Sequence, residues 1–122
     1  MKKSIFIALA ALSVTFPVSV SASETRCGWY YSGFGLFLRD SQARWGISNP
    51  NSLIRAQGQN NLPSFKGKEQ IVTSINDIYA CACLEVETNK SKKFITMIYG
   101  GEILPLSTCR EDPNLPSDPF LR

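Results

Sequence analysis

Histidine is absent from all 122 residues of this chain. That absence removes Ser-His-Asp and Cys-His nucleophilic sites, the usual general base and the commonest neutral metal ligand. Charge of one sign is also scarce. The chain carries +3, and Lys2 and Lys3 belong to a segment expected to be removed, which leaves +1. A nearly neutral domain lacks the basic excess that nucleic-acid binding calls for. Internal repeats, low-complexity tracts and sustained helical periodicity are missing as well. Long apolar runs are missing except at the N-terminus.

That exception has the three parts of a secretory signal peptide. Lys2 and Lys3 form a positive start, Ile5 to Val18 an uncharged apolar centre, and Val20-Ser21-Ala22 a small-residue cleavage site. A membrane span needs about 20 apolar residues. This run is shorter and is interrupted by Ser13 and Pro17. Cys27 follows Thr25-Arg26, where a lipid-attachment site wants small apolar residues. The expected organisation is therefore a leader over 1–22, a domain over 23–111 and a Pro-rich, loosely ordered tail over 112–122. No membrane anchor should survive cleavage.

All four cysteines, Cys27, Cys81, Cys83 and Cys109, lie beyond the leader. An even count in a small exported domain reads as two disulfides. Zinc is disfavoured by the Cys81-Ala82-Cys83 spacing, since structural sites separate paired cysteines by two to four residues. No metal and no cofactor is expected. Residues i and i+2 of a strand point the same way, so Cys81 and Cys83 cannot readily join each other. One should take Cys27 and the other Cys109; the sequence leaves open which takes which.

The residue pattern is mainly β. Alternation marks strands at Thr25 to Tyr31, Gly35 to Asp40, Arg44 to Ser48, Gln70 to Ser74, Ile78 to Thr88 and Lys93 to Tyr99. A short edge strand, limited by Pro105, is expected from Glu102 to Leu106. In the clearest strand Ala80, Ala82, Leu84 and Val86 share one face. Ile95, Met97 and Tyr99 should share a face of the next. Ser52 to Gly67, with two glycines and one proline, reads as a surface excursion. The expected fold is a small, single-domain, antiparallel meander or sandwich-like sheet stapled by two disulfides.

Few residues invite chemistry. Glu85 and Glu87 form a same-face carboxylate pair, but nothing nearby suggests a cleft or a raised pKa. Cys81 and Cys83 as a redox pair would want a helix N-terminus rather than a strand. Lys90, Lys92 and Lys93 read as a solvated hairpin tip. The dense aromatic stretch from Trp29 to Trp45 is mostly core, yet alternation sends Trp29 and Tyr31 one way and Tyr30 the other. Tyr30, Tyr31 and Phe34 are thus the candidate binding residues, with Tyr30 and Phe34 expected to be exposed. Binding through these rings, and not through charge, is expected.

Three motifs together carry a resemblance. They are Arg26-Cys27-Gly28-Trp29, Tyr79-Ala80-Cys81-Ala82-Cys83-Leu84, and Leu104-Pro105-Leu106 followed by Cys109-Arg110. The chain resembles an uncharacterised family of small exported bacterial proteins, domain of unknown function 4087. Members carry a Pro-rich stretch and a double Trp where this chain has Ser32 to Phe37. The resemblance implies a bacterial envelope location, periplasmic or secreted, and brings no activity. A binding or inhibitory module acting on an envelope protein or cell-wall glycan is therefore expected, not an enzyme. The alternatives are an assembly accessory and a thiol-redox protein using Cys81 and Cys83.

Overall fold

β1 (Glu24–Ser32) has hydrogen-bonded neighbours on both edges, and that fact organises the fold. The structure, a computed structural model, describes residues 23–51, 55–65, 69–74, 77–117 and 119. The expected leader lies outside them, as do parts of the Ser52 to Gly67 excursion. Along one edge β1 pairs antiparallel with β2 (Leu36–Arg39), which turns into β3 (Arg44–Ser48). Along the other it pairs over nine residues with β5 (Asp77–Asn89). β5 returns as β6 (Phe94–Leu104), and β6 meets β3 in parallel at Gly46 and Phe94. The pairings therefore run β1-β2-β3-β6-β5 and back to β1. β4 (Ile71–Ser74) adds to β5 outside this ring.

The mainly β, doubly stapled domain expected from the sequence is present, but as a closed mixed ring rather than an antiparallel meander or sandwich-like sheet. Counting only ring strands, the order is 1-2-3-5-4 with the third and fifth parallel. This is the Greek-key connectivity of the oligonucleotide/oligosaccharide-binding barrel. All five ring strands send side chains into one cluster that includes Tyr30, Leu38, Trp45, Ile47, Leu84 and Ile98. That cluster is the barrel interior. Its end is covered by the segment after β3, where Ala56, Leu62 and Phe65 pack against it. Gly58, at φ 79°, is required there: a Cβ would run into the Ile98 carbonyl.

β6 departs from simple alternation. Register shifts opposite Glu85/Val86 and Glu87/Thr88 leave Tyr99 and Thr96 without opposed partners. Each extra residue flips the faces beyond it, so Ile95 and Ile98 point inward while Tyr99 stands exposed. The expected Ile95-Met97-Tyr99 face is corrected accordingly. The separate edge strand from Glu102 is also absent, because β6 runs unbroken to Leu104. Pro105 ends it and caps a short helix, α1 (Leu106–Arg110).

A second cluster lies on the outside of β1 and β5, where Trp29, Tyr31, Tyr79 and Cys81 meet Leu106 and Cys109 of α1. Leu115 packs against it, and the Trp29 indole Nε1 donates to the Pro116 carbonyl at 2.7 Å. The described part of the Pro-rich tail is thus anchored, not loose. From Gly28 to Tyr31 both faces of β1 are consequently buried, whereas Thr25 and Cys27 stay exposed. Among the described residues no helix is long and apolar enough to cross a membrane.

Candidate functional site

The residues that make this chain recognisable hold the scaffold together. Arg26 Nη1 donates to Asp40 Oδ2 at 2.7 Å, Arg26 also pairs with Glu24, and its guanidinium carbon lies 4.0 Å from the Trp45 ring centroid. Asp40 Oδ1 accepts from Trp45 Nε1 and from the backbone N–H groups of Gln42 and Ala43, each at 2.9 Å. Cys27 faces Cys83 across the β1–β5 ladder and is joined to it. A Cβ on Gly28 would collide with the Arg39 carbonyl, so glycine lets β2 lie against β1. Cys81 is joined to Cys109, which ties α1 to the barrel wall.

The pairing of Cys27 with Cys83 and Cys81 with Cys109 resolves the connectivity. No free thiol remains. Cys81 and Cys109 are each 1% exposed, whereas Cys27 is open to solvent. Glu85 and Glu102 line a hollow beside Cys83. Two such bridges fit an oxidising, non-cytoplasmic compartment. Glu85 accepts from Thr25 and Glu87 from Tyr99 on the surface. Among the described residues no group of side chains is arranged to hold a metal ion.

Of the three candidate binding rings, only Phe34 is available. It is 68% exposed in the β1–β2 turn. Tyr30 is 3% exposed, inside the barrel and stacked on Phe65 with centroids 4.4 Å apart. Burial pushes its hydroxyl up to about 12. Tyr31, 5% exposed, stacks on Phe37 in the outer cluster. Alternation correctly separated these rings but left unseen that both sides of β1 are covered.

A cleft of about 300 Å³ opens instead on the outer face of β3, between Phe37 of β2 and Phe94 of β6. Its rim carries Arg44 from β3 and Lys92 and Lys93 from the β5–β6 turn. The Arg44 guanidinium lies 6.0 Å from the Phe37 centroid, and Lys93 Nζ lies 5.6 Å from the Trp45 centroid. Sequence reasoning missed this site. Its trace was Arg44 and Gly46 two apart on one strand face, and two of the three lysines read as a solvated tip, Lys92 and Lys93, belong to the same rim.

The family model for a protein of unknown function, DUF4087, matches residues 21–116. The chain belongs to this family. No curated protein and no solved structure matches it. In this DUF4087 chain the three motifs serve covalent closure, barrel packing and the Arg26–Asp40 pair. They mark the fold, and the cleft lies outside them. The DUF4087 description carries no activity.

Proposed function

We propose that this protein is an exported binding module that takes its ligand on the outer face of β2 and β3, beside the β5–β6 turn, without catalysis. The observation that supports this is the cleft over β3, with aromatic walls and a cationic rim. In barrels of this connectivity, oligosaccharides and oligonucleotides lie across the corresponding strands and loops. A closed ring with two disulfides also holds the surface still, so little entropy is lost on contact. A periplasmic or extracellular setting accords with the bridges, and a cell-wall glycan or envelope protein is the partner class. Phe37, Phe94 and the cations, rather than the buried Tyr30 and Tyr31, form this face.

One observation favours an accessory role instead. β4 is an edge strand with Val72 58% exposed, a surface suited to strand addition. Isotope-labelled protein titrated with muramidase-solubilised peptidoglycan, and separately with soluble envelope proteins, distinguishes the two. Amide shifts gathered in residues 36–49 and 90–94 support the binding face. Shifts gathered on β4 overturn it, and turnover of the fragments overturns the non-catalytic reading.

A further inference from the structure

The glycines of this chain are not equivalent. At Gly28 and Gly58 an added Cβ would strike backbone. At Gly46 it would meet only Phe94 Cβ at 3.8 Å and Phe37 Cε1 at 3.9 Å, ordinary contact distances. The backbone there does not have positive φ either. Neither crowding nor conformation demands glycine at the middle of β3, where it weakens a strand. What glycine provides is an empty slot with a phenylalanine on each side. A glycine within a strand marks a bulge, a bend or a place where a ligand approaches closely. The β2–β3 register does shift beside Gly46, leaving Ile47 unopposed, and the cleft over Gly46 supplies the room for a ligand.

The chemistry around the slot has one sign. Among the described residues Arg44, Lys92 and Lys93 line it and no carboxylate does. The ion pairs found among the described residues both belong to Arg26, so the rim charges have no described carboxylate partner. Ser48 and Asn49 close one end with neutral hydrogen-bonding groups. We infer that the slot binds a sugar ring bearing an anionic group, a carboxylate or a phosphate. The ring lies over Gly46 between Phe37 and Phe94, and the anion meets Arg44, Lys92 and Lys93. This rests on the binding-face reading and names its ligand class.

Four considerations select a charged sugar over a nucleic acid. Aliphatic C–H faces of a sugar ring can be buried between two phenylalanines. Its hydroxyls have partners in Ser48 and Asn49. A cleft of about 300 Å³ is at the small end of ligand sites, suiting one or two sugar units. A phosphodiester chain needs a run of cations and a basic excess, and the chain without Lys2 and Lys3 is only +1.

The test uses matched pairs: N-acetylmuramic acid against N-acetylglucosamine, and glucose 6-phosphate against glucose, with inorganic phosphate and an oligothymidylate as further probes. At least one acidic sugar should bind at least tenfold more tightly than its neutral partner, with shifts at Gly46, Ser48 and Phe94. Which pair shows the larger ratio tells carboxylate from phosphate. Gly46→Leu should weaken the acidic sugar at least tenfold, while inorganic phosphate, which has no ring, loses little. Arg44→Gln with Lys93→Gln should abolish the preference for charge, and it carries the test if Gly46→Leu fails to fold. Equal binding of acidic and neutral sugars at Gly46 overturns the inference and leaves the binding face standing. Tighter binding of oligothymidylate, or no binding of any sugar, also overturns it. Binding of every probe away from Gly46 overturns both readings.

Discussion

Asp40 receives four hydrogen bonds in the β2–β3 turn, and its carboxyl shows the result. Burial pushes its pKa up, but donation from Arg26, Trp45 and the amides of Ala43 and Gln42 outweighs this and holds it below 3.8. A carboxyl lowered on folding stabilises fully above its unfolded pKa, about 4. That contribution fades as pH falls through the folded value. Asp40→Ala should therefore cost about 3 kcal/mol at neutral pH, because it strips a buried pair of one partner. Denaturant titration should show the gap from wild type narrowing toward pH 3. Tyr30 makes a different prediction. Among the described residues its hydroxyl reaches the Pro63 carbonyl alone, at a long 3.4 Å, so the ring matters more than the oxygen. Tyr30→Ala should cost about 3 to 5 kcal/mol, against about 1 kcal/mol or less for Tyr30→Phe. The sequence suggested a harmless surface change here, because alternation gives the side a ring faces but not what covers it.

The strands were legible where one face is apolar and the other is not. Trp45 with Ile47, and Ala80 through Val86, followed the period of two to their observed faces. The departures have local causes. β6 carries two unopposed residues that alternation cannot foresee, and α1 has five residues, too few to show a helical period. The two disulfides tie different elements and should part company under reduction. Cys27–Cys83 spans 56 positions and Cys81–Cys109 spans 28, which the chain-entropy model values at about 4 kcal/mol each. Access differs more than entropy does. Cys27 is exposed, whereas Cys81 and Cys109 are sealed in the outer cluster. Mild dithiothreitol followed by alkylation and peptide mapping should label Cys27 and Cys83 first. Simultaneous labelling of all four would mean that the outer cluster opens readily.

Ring closure was beyond the sequence for a physical reason. The parallel contact of β3 with β6 joins residues far apart in the chain, here Gly46 and Phe94, and no local pattern encodes a partner at that distance. The slot over Gly46 was hidden likewise, since Phe37, Gly46 and Phe94 come together only once the ring closes. The four cysteines did report the long-range scaffold, because Cys81 and Cys83 on one strand face had to reach for two other segments. A chain ended after Leu104 should test how much the outer cluster matters. Such a protein should bind a hydrophobic dye and expose the Cys81 thiol, while the full chain does neither. The docking of α1 and Pro116 over Trp29 has one more consequence. During synthesis β1 emerges before the other strands, and the segment that shelters its outer rings emerges after every strand. Until then Trp29 and Tyr31 are available to chaperones, and to other copies of the chain. The fold is thus sealed by a segment that arrives after every strand, so a pause in synthesis before it would leave a sticky intermediate, not a small native domain.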